Sequence, residues 1–102
     1  MSTTTNATQS ALTVLKVLDT LCGFAEEGAS NKDLAAASQL SAVTVTRATQ
    51  TLITYGWCRK SEETGRFYPT AQFTRLSFKV HDSFSRGQQR FDERRQSMTT
   101  AY

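Results

Sequence analysis

The sequence predicts a mostly α-helical fold with one small β-hairpin, folded as a single domain. Three observations lead to this prediction. A chain of 102 residues has room for one hydrophobic core. Apolar residues recur at steps of three and four along much of the chain, which is the spacing of amphipathic helices. A polar, glycine-containing turn over residues 61–65 separates two short β-prone runs, as in a hairpin.

Composition limits the class of protein. The chain is 38% hydrophobic and 21% charged, which is ordinary for a globular domain. No apolar run approaches the roughly 20 residues of a membrane span. The N-terminus lacks the basic and apolar regions of a secretory signal, so a cytoplasmic protein is expected. Cys22 and Cys58 fit a reducing compartment and are expected to be small apolar core residues rather than a disulfide.

Charge is distributed unevenly. Residues 1–46 contain two lysines and four acidic residues, whereas residues 47–102 contain ten Lys or Arg and five acidic residues. A basic half is what a protein attracted to phosphate would carry, although a solvated basic surface has the same composition.

The N-terminal segment is predicted to be a flexible arm over residues 1–8, followed by an amphipathic helix that begins near Ser10 and ends at Gly23. Gly23 is expected to adopt the left-handed conformation common after a helix. Residues 25–29 are predicted to be a connecting loop. The stripe expected to face the core is Ala11, Leu12, Val14, Leu15, Leu18, Leu21 and Cys22.

The next helix is predicted over residues 31–38. Ser30 is its expected N-cap, and Asp33, three residues later, completes a shortened capping box. The Ser30 hydroxyl would then bond to an otherwise unpaired backbone amide of the first turn.

A second capped helix follows almost at once. Ser41 is its predicted N-cap, the helix covers residues 42–55, and Gly56 ends it. The turn between the two helices contains Gln39 and Leu40, with Leu40 directed inward. Two helices joined by so short a connection predict a helix-turn-helix.

The hairpin completes a winged helix-turn-helix. Its strands are predicted around residues 57–59 and 67–68, and Pro69 ends the second because proline has no amide to donate. A three-helix core with a hairpin after the second helix of the pair is the layout in which that helix enters the DNA major groove.

A C-terminal helix is predicted from about Thr70. The domain is expected to cover residues 9–86, and residues 87–102 are either a disordered tail or an extension of the helix, because Gly87 weakens a helix without forbidding it. A narrow apolar stripe on this helix is expected to meet a partner helix. The stripe is Phe73, Leu76, Val80 and Phe84, continuing to Gly87 and Phe91.

The helix over residues 42–55 has two distinct faces on a helical wheel. The face expected to be buried contains Val45, Ala48, Thr49, Leu52 and Ile53, and the face expected to meet DNA contains Ala42, Val43, Thr46, Arg47 and Gln50. Arg47 suits guanine or phosphate, Gln50 suits adenine, and Val43 with the threonine methyl groups suits the methyl group of thymine. Ser30, Ser41 and Thr44 lie at helix N-termini, where hydroxyls and free amides suit phosphate.

The hairpin carries the predicted wing contacts. Lys60 and Arg66 flank its turn and would lie along the DNA backbone or at the minor groove, with Arg66 the preferred contact. Glu62 and Glu63 at the tip argue against deep insertion, because carboxylates there would face phosphate. A hairpin that is merely solvated is the alternative.

Three segments together resemble a known family. SALTVLKVL, NKDLAAASQLSAVTVTRATQTLITYGW and ETGRFYPT are similar, over about residues 10–77, to the N-terminal DNA-binding domain of the isocitrate lyase regulator family (IclR-type). The resemblance implies dimers and DNA binding. The residues it implicates are Ala42, Val43, Thr44, Thr46, Arg47 and Gln50, with Arg66 on the wing.

Three features depart from that family. Ala48-Thr49 replaces a bulkier apolar pair and thins the core beneath the helix over residues 42–55. Gln39 stands where the turn usually has glycine, so a left-handed glutamine is expected there. The chain ends at Tyr102, so the effector domain of the family is expected to be lacking, and sensing of a small molecule is not carried over.

No motif supports catalysis, a metal or a cofactor. His81 and Asp82 are adjacent on a predicted helix and point in different directions, so they do not form a catalytic pair. Cys22, Cys58 and His81 lack the spacing of a zinc motif. G-x-S-x-G, P-loop and G-x-G-x-x-G patterns are absent from the sequence.

The sequence therefore predicts a transcription regulator that binds double-stranded DNA sequence-specifically as a homodimer, through its first helix, its C-terminal helix or both, with repression as the default mode. One alternative is a protein-interaction adaptor that uses the Phe73–Phe84 stripe, because fold does not settle function. Another is a DNA-binding accessory protein in replication or recombination of a mobile element.

Overall fold

The computed structural model describes the backbone of residues 6–100 and the side chains through residue 98, so the predicted arm over residues 1–8 lies largely outside the described residues. The elements are α1 (Gln9–Cys22), α2 (Asn31–Ser38), α3 (Ala42–Tyr55), β1 (Cys58–Lys60), β2 (Phe67–Pro69) and α4 (Ala71–Thr100). This order is that of a winged helix-turn-helix, as the sequence predicts. No helix in the described part of the chain is long and apolar enough to cross a membrane.

A single core lies where α1, α2 and α3 meet the hairpin. Its buried apolar residues are Val17, Leu18, Leu21, Ala29, Leu34, Val45, Ala48, Leu52, Cys58 and Phe67. The predicted inward face of α3 is confirmed at Val45, Ala48, Thr49 and Leu52. The prediction for Ile53 is wrong, because this side chain is 39% exposed at the edge of the helix that faces the hairpin.

The orientation of α1 differs from the prediction. Val17 is fully buried, whereas Leu12 and Leu15 are largely exposed. Cys22, also expected in the core, is exposed, and it is a free thiol like the buried Cys58. The helix carries apolar residues on more than one side, and the short body covers the side that contains Val17, Leu18 and Leu21. The apolar pattern alone could not decide which side that would be.

The end of α1 is also different. Gly23 has φ −71° and ψ −13°, which is right-handed helical geometry rather than the left-handed conformation expected. The chain continues through turns to Gly28 before it reaches extended backbone, and Gly28 is where the left-handed geometry occurs, with φ +80°.

The helix pair has the predicted caps. Ser30 Oγ accepts a hydrogen bond from the Asp33 amide, and the Asp33 carboxylate accepts one from the Ser30 amide, which forms the capping box. Ser41 Oγ accepts from the Thr44 amide at the start of α3. Gln39 is left-handed at φ 61°, so the turn adopts the expected conformation without glycine.

The hairpin gains a third segment that the sequence did not predict. β1 and β2 pair antiparallel, with Arg59 opposite Tyr68. Ala29, expected in a loop, pairs with Phe67 through two backbone bonds, Ala29 N to Phe67 O at 3.0 Å and Phe67 N to Ala29 O at 2.7 Å. This bridge fixes the wing to the segment that enters α2.

α4 is anchored to the body at its start. The Thr70 hydroxyl donates to Gly56 O at 2.6 Å and accepts from the Phe73 amide at 3.2 Å. Phe73 packs on the core and its ring lies 5.4 Å from that of Trp57. The helix then continues through Gly87 to Thr100, and Val80 and Phe84 are 55% and 75% exposed. Along the predicted stripe, Phe73 therefore packs on the core, Leu76 is half-buried, and Val80 and Phe84 are exposed.

Candidate nucleic-acid interface

The exposed face of α3 carries the side chains predicted to meet DNA. Ala42, Val43, Thr46, Arg47 and Gln50 are all exposed, and Val43 reaches 62%. The opposite face holds the helix in the core. The body therefore presents this face outward, next to the hairpin.

The unused hydrogen-bonding groups on this face belong mainly to Arg47 and Gln50. Thr51 and Thr54 donate their hydroxyl protons to the carbonyls of Arg47 and Gln50, at 3.0 and 2.8 Å. Their hydroxyls are therefore unavailable as donors to another molecule. The side chains of Arg47 and Gln50 themselves make no hydrogen bond or ion pair to any described residue.

The hydroxyls at the N-terminus of α3 form a short chain. Ser41 Oγ donates to Thr44 Oγ1 at 2.8 Å and accepts from the Thr44 amide at 3.1 Å. The Ser41 proton is thus engaged, whereas the Thr44 hydroxyl acts as an acceptor and keeps its own proton for an incoming acceptor. Thr44 is the better placed of the two as a donor to phosphate.

Asn31 also belongs to this region, although it was not among the predicted DNA contacts. Its side-chain amide donates to Thr46 Oγ1 at 3.0 Å and approaches Ala42 O at 3.5 Å. The first residue of α2 therefore clamps the first turns of α3. An asparagine directly after an N-cap can reach a neighbouring helix. The sequence does not show which residue it binds, because Thr46 lies 15 positions away.

The two predicted wing residues are held differently. Lys60 Nζ lies 5.5 Å above the ring of Phe67 and the residue is exposed. Arg66 Nη1 donates to Gly28 O at 3.1 Å and lies 3.5 Å from Asp33 Oδ2. Arg66 therefore turns toward the start of α2 and braces the wing against it.

Asp33 connects the brace to the helix cap. Hydrogen bonds with the backbone amide and then the side chain of Ser30 lower the pKa of the Asp33 carboxyl below its usual value. The nearby positive charges of Arg66 and Lys32 lower this pKa further. Ser30 was predicted to contact phosphate. Its hydroxyl accepts a hydrogen bond from the Asp33 amide within the cap, and its contact with phosphate stays a prediction.

A cleft separates α3 from the wing. It is lined by Asn31, Thr46, Gln50, Ile53, Lys60 and Phe67 among others. Of the predicted contacts, Thr46 and Gln50 from α3 and Lys60 from the wing thus border one concave surface. Within the described residues no group of three His, Cys, Asp or Glu side chains is placed to hold a metal ion.

Solved structures share this fold. Pseudomonas aeruginosa HmgR superposes with a TM-score of 0.69 and 24% identity, covering 74% of this chain and 31% of that chain. An IclR family transcriptional regulator from Brucella abortus superposes with a TM-score of 0.67 and 22% identity, covering 78% of this chain and 30% of that one. No family model and no curated protein sequence matches the chain. The chain, which spans under a third of each of these proteins, has the winged helix-turn-helix fold found in them.

Proposed function

We propose that the protein is a transcription regulator that binds double-stranded DNA sequence-specifically. In this proposal α3 enters the major groove and the hairpin over residues 58–68 acts as the wing. Repression by occupying a promoter is the mode we propose. The regulator from Brucella abortus, which shares the fold, supports the proposal.

The observation that carries the proposal is the pair Arg47 and Gln50. Both are exposed on the same side of α3, the other exposed residues in the first half of this helix are short, and neither side chain is bonded within the described chain. An unpaired guanidinium and an unpaired amide are the groups that form bidentate contacts with guanine and adenine. Short neighbours, such as Ala42 and Thr46, allow the helix to approach the base edges closely.

Phosphate contacts would set the register of α3. The Thr44 hydroxyl keeps its proton, and Lys60 is exposed across the cleft, so the two can contact the backbone on either side of the groove. Ser30 and Ser41 would contribute through their helix N-termini. Arg66 would reach phosphate only with the part of its guanidinium that the Gly28 and Asp33 bonds leave exposed.

We propose a homodimer that forms through α1. Leu12 and Leu15 are exposed on adjacent turns of this helix, 47% and 55% respectively. In-register parallel pairing along the far part of α4 is disfavoured, because Arg94 lies three residues after Phe91 on the same stripe and two copies would bring like charges together. Substituting Leu12→Glu with Leu15→Glu should therefore yield monomers by sedimentation, whereas Phe84→Glu should not.

One observation favours an adaptor as a second candidate. Val80, Phe84 and Phe91 leave an apolar stripe exposed on α4, and exposed apolar patches mark interaction sites. An adaptor would not depend on Arg47.

The first experiment is selection of bound duplexes from a random pool with the full chain, followed by titration at two salt concentrations. We expect a palindromic motif with half-sites about one helical turn apart. Arg47→Ala should then weaken binding to the selected site roughly 5- to 150-fold, with relaxed preference at one base pair.

The matched control is Arg86→Ala, which removes the same charge from an exposed position on α4. Its loss of affinity should be small and equal for all sequences. Retention of duplexes without any enriched motif would contradict sequence-specific regulation, and no retention at all would favour the adaptor.

A further inference from the structure

The threonine at position 46 has its hydroxyl fully oriented by the protein. Its proton is donated to Ala42 O at 2.9 Å, and its oxygen accepts from Asn31 Nδ2 at 3.0 Å. A hydroxyl has a single proton to donate, so Thr46 has no proton left for a base acceptor. Its remaining feature for recognition is the γ-methyl group.

The hydrogen bond from Asn31 distinguishes Thr46 from the other exposed threonines of α3. In the other exposed threonines of α3, Thr51 and Thr54, the hydroxyl bonds only to the preceding turn of the helix among the described residues. Thr46 alone among these three has a second bond from another helix, so its side chain is fixed from two directions. Such fixing reduces the entropy lost when the methyl group packs against a ligand.

Val43 lies beside Thr46 on the helix surface, since residues three apart are neighbours. Val43 is 62% exposed and has only methyl groups to offer. The two side chains therefore form an apolar patch on the face that also carries Arg47 and Gln50. Among the base edges of the major groove, the apolar group that such a patch can contact is the C5-methyl of thymine.

We propose that Val43 and Thr46 form a subsite for the 5-methyl group of thymine, with Asn31 as the positioning residue that orients Thr46. The proposal rests on the proposed DNA-binding function and names a base that this surface selects. Specificity at this position comes from the methyl group, whereas Arg47 and Gln50 supply the hydrogen bonds at neighbouring base pairs.

The test replaces each thymine of the selected site, one at a time, by deoxyuridine, which lacks only the 5-methyl group. We expect one or two thymines per half-site at which this change weakens binding about fourfold, as for one buried methyl group. The remaining thymines should tolerate it. A site without thymine, or with every thymine replaceable at no loss, would overturn the subsite while leaving sequence-specific binding in place.

Two conservative variants separate methyl from hydroxyl. Thr46→Val keeps a methyl group at this position but loses the hydrogen bond from Asn31, so it should remain sensitive to deoxyuridine and bind somewhat more weakly than the parent. Thr46→Ser keeps the hydroxyl but leaves only Val43 to contact the thymine methyl, so the loss of affinity caused by deoxyuridine should be clearly smaller than in the parent. The reverse pattern, with Thr46→Ser as sensitive to deoxyuridine as the parent and Thr46→Val insensitive, would show that the thymine methyl is not contacted by the methyl group of residue 46 and would overturn the proposal. Thr46 is exposed, so both variants should fold, which thermal unfolding would check. Failure to select any site would refute the proposed function and the subsite together.

Discussion

The ring of Tyr68 lies directly against the backbone of Gly28. A Cβ atom placed on Gly28 would be 2.6 Å from Tyr68 Cζ, and the Tyr68 hydroxyl donates to Glu27 O at 3.3 Å. Because Gly28 also has φ +80°, both space and conformation require glycine there. This contact ties the second strand of the wing to the segment that precedes α2.

Gly28→Ala should destabilise the fold strongly. The substitution combines left-handed strain of about 1 to 3 kcal/mol with displacement of the Tyr68 ring. Gly65→Ala is the matched control, since Gly65 has φ +74° but no atom within 4 Å of its Cβ position. Urea unfolding should give a clearly larger loss for Gly28→Ala. Equal losses would mean that the contact with Tyr68 contributes nothing.

Thr49→Val should be nearly neutral, although Thr49 is only 1% exposed. The hydroxyl donates to the carbonyls of Val45 and Thr46, both 3.0 Å away. Valine has the same shape and leaves no buried hydroxyl behind, so we expect a change within about 1 kcal/mol. Thr49→Ala also deletes a buried methyl group and should cost about 1 kcal/mol more than Thr49→Val. A Thr49→Val loss as large as that of Thr49→Ala would show that the hydroxyl itself is required.

Stability should depend on Asp33 at acid pH. Because the folded pKa of Asp33 lies below its ordinary value of 3.8, the ionised cap stabilises the fold above about pH 4 and loses this effect as the pH falls through the folded pKa. Asp33→Asn keeps an acceptor but cannot titrate. The difference in the free energy of unfolding between the parent and Asp33→Asn should therefore shrink as the pH is lowered from about 6 to about 2.5. Parallel curves would contradict the pKa shift.

The two cysteines should react at very different rates. Cys58 is buried, and this burial raises its pKa to about 11. Cys22 is exposed, with a pKa raised mainly by partial burial and then by Asp19. At about pH 8 a disulfide reagent should label one thiol of the native protein and the second only in denaturant. Cys22→Ser should abolish the native reaction. Two thiols reacting equally fast would show that the hairpin opens readily.

The apolar stripe of α4 should contribute little to folding of the isolated chain. Phe84→Glu should change stability by no more than about 0.5 kcal/mol, as for an exposed position. Leu21→Ala, in the core, should cost about 2 to 5 kcal/mol. A large loss for Phe84→Glu that depends on protein concentration would show that another molecule covers the stripe in solution.

The fold could be predicted because the residues that begin and end its helices act on close neighbours in the sequence. Ser30 and Ser41 satisfy amides only three residues away, so the starts of α2 and α3 are visible in the sequence. The left-handed conformation of Gln39 could be predicted as well, because it lies in the short turn between the two helices.

The features that were missed depend on contacts between distant residues. Ala29 pairs with Phe67 across 38 positions, and Asn31 bonds to Thr46 across 15, so neither leaves a local pattern. The buried side of α1 is decided by the shape of the body rather than by its own sequence. Arg66 was expected to contact DNA from the wing, and its bond to Gly28 O joins residues 38 positions apart, so it too leaves no local pattern.

The continuous course of α4 through Gly87 has a mechanical consequence. An α-helix turns by about 100° and rises about 1.5 Å per residue, so an unbroken helix fixes the angle between its far end and the body. Deleting one residue near Gly87 would swing the distal aromatic side chains around the axis by more than a quarter turn. Deleting seven would nearly restore the angle and shorten the arm by about 10 Å. Thr70 anchors the start of the helix to Gly56, so it fixes the orientation from which these rotations are measured.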